Sequence, residues 1–84
     1  MSEAEYDIMD QLYFVTSYED IKELSEVDES VITSVLWMFI NKGWVKCFAG
    51  PENEIEVAEE EFKTNFVNYH YLASKQGLLA HNMR

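Results

Sequence analysis

The sequence predicts an α+β fold in one domain, and three observations predict it. Apolar residues recur at helical spacing through three successive segments of the first half. β-Branched and aromatic residues then gather in two strand-like segments, and a serine-capped helix closes the chain. The rest is arranged around residues 28–48, which read as one helix, a glycine that ends it, and a strand. At about 100° per residue, Val31, Ile32, Val35, Leu36, Met38, Phe39 and Ile40 fall on one broad arc, and Ser30, Thr33, Ser34, Trp37 and Asn41 on the other. Trp37 thus sits midway along the polar arc, where a large aromatic facing water marks a contact surface.

Taken in order, residues 4–15 carry Ile8, Leu12 and Val15 at helical spacing with Met9 and Tyr13 beside them, which predicts a first amphipathic helix. Thr16-Ser17 breaks the pattern. Ser17-Tyr18-Glu19-Asp20 has the form of an N-cap followed three residues later by a carboxylate, and Ile21 and Leu24 supply a short apolar stripe, so a second helix runs to about Val27. Asp28 is placed to accept hydrogen bonds from the free amides opening the third helix, and Glu29 adds favourable charge at the positive dipole end. That helix runs to Asn41 or Lys42, where Gly43 supplies the left-handed residue that ends many helices.

Residues 44–48 read as a strand, stopped by a loop over 49–53 that holds Gly50-Pro51. Residues 54–57 alternate like a strand. Ala58, Phe62 and Phe66 then follow at i, i+4 and i+8, with Glu59, Glu60 and Glu61 early and Lys63 late, which favours a short acidic helix. Residues 67–73, alternating through Tyr69 and Tyr71, are expected to form a strand antiparallel to 44–48. Ser74 caps the last helix, with Leu78 and Leu79 apolar and Gly77 a weak point within it.

Eighty-four residues with 48% hydrophobic and 14% aromatic content suit one globular domain with one core. No apolar run approaches the roughly 18 to 20 residues of a membrane span, and the opening residues lack the basic-then-apolar order of a signal peptide. A cytoplasmic location is therefore expected. The single cysteine, Cys47, has no partner for an internal disulfide and fits a reducing compartment. Sixteen acidic residues against six basic ones give a formal charge of −10. Nucleic-acid affinity rests on Lys and Arg displacing counterions, and the supply is Lys22, Lys42, Lys46, Lys63, Lys75 and Arg84. The acidic field slows approach to DNA or an anionic membrane, and it also keeps an aromatic-rich domain soluble.

No enzymatic constellation stands out, and neither a cofactor nor a metal is expected. Cys47 and His70 lie on strands that pair in this reading, so a thiol–imidazole dyad is conceivable, but no orienting third residue or oxyanion-forming loop accompanies it. Cys47, His70 and His81 lack ligand spacing. The carboxylates between 52 and 61 lack the glycine-punctuated loop of a calcium site and read as a solvated acidic face. Gly43, Gly50 and Gly77 are isolated, which leaves no phosphate-binding loop. Phe14, Phe39, Phe48, Phe62 and Phe66 are expected to fill the core.

Two stretches carry a family likeness: Ile40-Asn41-Lys42-Gly43-Trp44-Val45 at the end of the third helix, and Tyr71-Leu72-Ala73-Ser74-Lys75-Gln76-Gly77-Leu78-Leu79 near the end of the chain. With the order of elements, they resemble the winged helix-turn-helix superfamily, closest in style to small bacterial transcription regulators of the MarR and PadR type. The resemblance implies a three-helix helix-turn-helix core, a two- or three-stranded antiparallel wing with a long acidic insert over 49–66, and a short C-terminal helix. It also implies that the third helix enters the DNA major groove, with Ser30, Thr33, Ser34, Trp37 and Asn41 facing the bases and Lys42 and Lys46 on phosphates. The charge runs the other way: Glu26, Asp28 and Glu29 stand where phosphates would lie, and the wing carries six glutamates, Glu52, Glu54, Glu56, Glu59, Glu60 and Glu61.

The combined expectation is a non-enzymatic regulatory or adaptor domain that binds a protein partner, or itself as a homodimer, through the third-helix face. Tyr69 and Tyr71 would add a dimer or partner surface. A sequence-specific regulator of double-stranded DNA is the runner-up, and an acidic mimic of DNA a weaker alternative. Either Trp37 is an anchor open to a partner, or the insert folds back over it.

Overall fold

A computed structural model describes residues 1–83. Its elements run α1 (Glu3–Met9), β1 (Thr16–Ser17), α2 (Tyr18–Ser25), α3 (Glu29–Asn41), β2 (Val45–Phe48), β3 (Glu54–Ile55), α4 (Glu59–Asn65), a 3-10 turn (Phe66–Asn68), β4 (His70–Ala73) and α5 (Lys75–Asn82). The fold is α+β. All strand pairings are antiparallel and the sheet order is β1-β4-β2-β3, so the last strand lies between the first two.

The caps of the second and last helices and the glycine stop of the third are realised, while of the strand expected over 67–73 only His70–Ala73 forms, Phe66–Asn68 being a 3-10 turn. Ser17 caps α2 by accepting from Asp20 N–H at 3.2 Å, and Ser74 caps α5 by accepting from Gly77 N–H at 3.1 Å. Gly43 leaves α3 at φ +76, in the left-handed region where a Cβ is strained. Asp28 holds the N-cap position of α3 but makes no side-chain cap bond. Its main-chain carbonyl accepts from Val31 and Ile32 instead. The carboxylate of the next residue, Glu29, accepts from the Tyr18 hydroxyl at 3.2 Å and lies 4.0 Å from Lys22. α4 also begins uncapped, at Ala58, and its first turn is Glu59, Glu60 and Glu61. Three carboxylates at the positive end of the helix dipole offset the missing cap, which is a structural reason for that acidic run.

The first helix is shorter than its apolar spacing predicts, and the reason is a strand the spacing hides. After Met9 the chain tightens into i to i+3 bonds at Gln11 and Leu12, and the Thr16 hydroxyl bonds the carbonyls of Gln11 and Phe14 at 2.8 and 2.7 Å. Thr16 and Ser17 then pair with Tyr71 and His70 as the edge strand β1. Phe14, expected in the core, is consequently 82% exposed in the loop. Phe39, Phe48 and Phe62 are buried, and Phe66 is partly so. The core lies between the helices and one sheet face: Ile8, Met9 and Leu12, then Tyr18 and Ile21, meet Ile32, Leu36 and Phe39 of α3 over Val45, Cys47 and Tyr71. Val31, placed on the apolar arc by its angle, is in fact exposed.

α5 closes over the junction of α3 and β2. Ser74 Oγ donates to Gly43 C=O at 2.6 Å, and Ser74 N–H donates to Trp44 C=O at 2.8 Å. Gly77 lies against the same carbonyl: a Cβ there would stand 2.1 Å from Trp44 O. The glycine that looks like a weak point by helix propensity is required by this close approach.

Candidate functional site

Of the residues expected to form the contact face, α4 meets Thr33, Ser34 and Trp37, whereas Ser30 and Asn41 lie outside that contact. Ser30, Ser34 and Asn41 are exposed, Thr33 and Trp37 partly buried. Phe62 of α4 lies against Trp37 with ring centroids 5.5 Å apart. The acidic insert therefore does fold back on the third helix. It covers Trp37 only in part. Thr33, Ser34 and Trp37 face Glu59, Phe62 and Lys63 across a cleft of about 200 Å³, which Phe66 also lines.

An aromatic chain anchors this arrangement. Phe62 is 2% exposed and touches Trp37, Phe66 at 5.9 Å and Tyr71 at 6.3 Å, while Phe66 meets Tyr18 edge-on at 5.0 Å. Offset and edge-to-face ring pairs of this kind add to simple area burial. At the cleft mouth Lys63 and Glu59 form an exposed pair at 3.8 Å, one helical turn apart. Such a pair contributes little to stability, so both groups are available to a ligand. The Thr33 hydroxyl is directed back to the carbonyls of Glu29 and Ser30 at 3.0 and 3.1 Å, within its own helix.

The other expected contacts separate. Lys42 lies over the Trp44 ring, 4.5 Å from its centroid, and Lys46 is 4.0 Å from Glu54, so each already has a partner within the chain. Tyr69 and Tyr71 offer no surface: Tyr71 is fully buried with its hydroxyl bonded to Phe66 C=O at 2.7 Å, and Tyr69 is 9% exposed. Their alternation reflects a strand buried on the face that carries Tyr71 and Ala73.

Cys47 pairs with Tyr71 and Phe48 with His70, which puts Cys47 and His70 on opposite faces of the sheet. No thiol–imidazole dyad forms. Burial pushes the Cys47 thiol up to about 11. Tyr18 rises to about 12, first through burial and then through its bond to Glu29 and that group's charge. Both groups hold their protons more tightly in the fold than in the unfolded chain, so the stability they contribute is complete below about pH 9 and is lost as pH rises through their folded values. Melting temperatures followed from pH 8 to 12 are expected to fall from about pH 9 upward, and a Cys47→Ala protein to delay that onset toward pH 10, where free tyrosine begins to titrate. A flat profile over this range would contradict the assignment.

One constellation had no signal in the sequence. His81 of α5 is 8% exposed, and its Nε2 lies 2.6 Å from Asp10 Oδ1 just past α1. Its Nδ1 is 3.2 Å from the Tyr13 hydroxyl, and the rings of Tyr6 and Tyr13 meet the imidazole edge-on at 5.5 and 5.8 Å. In the neutral ring, with Nε2–H donated to the carboxylate, Nδ1 accepts from the phenol. Asp10 and His81 stand 71 positions apart, too far for any spacing rule to join them. Their arrangement ties the first helix to the last; the cleft lies elsewhere, between α3 and α4. Among the described residues no group of three or more His, Cys, Asp and Glu side chains converges as a metal site, and no helix is long and apolar enough to cross a membrane. In comparisons with known proteins, no family model, no curated protein and no solved structure matches the chain.

Proposed function

We propose that this chain is a non-enzymatic regulatory or adaptor module of winged-helix type, which binds a basic segment of another protein by taking one apolar side chain into the cleft between α3 and α4. The order of helices, the strand β1 returned to β4 and the capped helix after β4 support the fold reading. The observation that carries the function is the seat of α4. An α-helix with its side chains is about 10 to 12 Å across and fills a major groove about 12 Å wide. A second helix packed on the face that would read bases, through Phe62 on Trp37, obstructs that entry. What α4 leaves open is a small recess lined by the rings of Trp37, Phe62 and Phe66, with Glu59 and Lys63 beside them and Glu60 and Glu61 on the same helix, suited to an apolar anchor flanked by Lys or Arg.

Fluorescence titration with a lysine-rich pentapeptide bearing a central phenylalanine, against the same peptide bearing alanine, tests this. Burying the ring contributes about 1.5 to 3 kcal/mol, so the phenylalanine peptide is expected to bind at least about tenfold tighter. Ser34→Leu fills the recess from an exposed position and is expected to remove the difference without unfolding the domain. Equal affinity for the two peptides, together with a gel shift of mixed duplex DNA that weakens steeply with salt, would instead favour a DNA-binding regulator.

A further inference from the structure

A second unpartnered feature borders Trp37: the outer edge of β3. In the sheet β3 has β2 on one side and, among the described residues, no strand on the other. Ala49 N–H donates to Asn53 C=O at 2.8 Å, two positions along from the Cys47–Ile55 pair. Hydrogen-bonded pairs recur every second residue in an antiparallel ladder, so Ile55 exchanges bonds with Cys47 while the N–H and C=O of Glu54 point away from β2, and Glu56 follows just past the end of β3. No backbone hydrogen bond reaches Glu56 or Val57 among the described residues. Beside this edge runs a trough of about 440 Å³ whose apolar lining is Trp37, Ile40, Val45, Cys47, Ile55 and Val57, and which Glu54, Glu56 and Lys46 also line.

We propose that this edge accepts, by strand addition, an extended segment of a partner protein in which basic and apolar residues alternate. The partner's chemistry follows from the pattern at the edge. Glu54, Ile55, Glu56 and Val57 are in turn exposed, partly buried, exposed and partly buried. An added strand meets the carboxylates of Glu54 and Glu56 together with the apolar part of the trough beside them, and its main chain pairs with the outward groups of Glu54 and continues past Glu56. Glu56 has no cationic partner among the described residues, and Glu54 has only the exposed Lys46 at 4.0 Å. The same carboxylates exclude a second copy of this chain, because two β3 edges would set glutamate against glutamate in a protein of charge −10. This rests on the reading of the chain as a protein-binding module, but it uses a surface apart from the α3/α4 cleft.

Amide spectra of the isotope-labelled protein, titrated with a capped heptapeptide of alternating lysine and valine, test it. The amides of Glu54 and Glu56 are expected to shift and to exchange at least about tenfold more slowly. The same peptide N-methylated at alternate residues, and a Glu54→Lys/Glu56→Lys protein with the unmodified peptide, are each expected to bind at least about tenfold more weakly. Shifts confined to Thr33, Phe62 and Lys63 would overturn strand addition while sustaining the cleft. Undiminished binding of the N-methylated peptide, or no shift at any residue, would also overturn it.

Discussion

A Gly77→Ala protein is expected to lose about 3 kcal/mol of stability, more than any other single methyl group added to this chain should cost. The added carbon would stand 2.1 Å from Trp44 O and 2.9 Å from Trp44 C, and both are backbone atoms of the residue that opens the sheet. Neither can swing aside as a side chain could. That carbonyl also accepts from Ser74 N–H, so displacing it loosens the cap of α5 as well. For a domain of this size the loss corresponds to a melting temperature roughly 12 to 24 °C lower, measurable by circular dichroism. Gly50→Ala is the control. Nothing lies within 4 Å of its added carbon, and the melting temperature is expected to hold or rise slightly. Similar melting for the two proteins would refute the close-approach account.

Phe62→Ala is expected to release α4 from the body of the domain. Removing a buried phenylalanine costs about 3 to 5 kcal/mol, and here the ring is the contact that seats a seven-residue, uncapped helix on Trp37 and Tyr71. A helix that short does not persist in water without its packing. Hydrogen exchange is expected to show the α4 amides losing protection while those of α3 and the β2–β4 ladder keep most of theirs, since Tyr71, Leu36 and Phe39 remain packed. The variant should also lose its preference for the phenylalanine peptide. Wild-type protection of α4 in this protein would sink the idea that Phe62 holds that helix in place.

What the sequence makes legible here is what its neighbours in the chain determine. The caps at Ser17 and Ser74, the left-handed stop at Gly43, the apolar stripe of α3 and the amphipathic spacing of Ala58, Phe62 and Phe66 are all local, and each corresponds to an observed element. The misreadings arise where a distant segment decides the outcome. Residues 10–15 continue a helical pattern, yet pairing of Thr16 with Tyr71 ends the helix early and leaves Phe14 in water. Tyr69 and Tyr71 alternate as surface residues would, yet the helices close over Tyr71. Trp37 falls on the polar arc by angle, and only the docking of α4 turns that arc into one wall of a cleft. Helix periodicity reports a preference for burial without saying which later element will supply it. Asp10 and His81 carry no local mark, because each alone is an ordinary polar residue on a short helix or its end.

The bond between those two residues has a consequence for how the domain is made. Of the described elements α1 is synthesised first, and the imidazole that Asp10 meets lies 71 positions later. At roughly 5 to 20 residues per second the carboxylate of Asp10 waits about 4 to 14 s for its partner. α1 can rest against α2 and α3 in that interval, but the lock between the ends closes last. The contact between α1 and α5 is thus a clasp, made only after the segment around His81 has been synthesised.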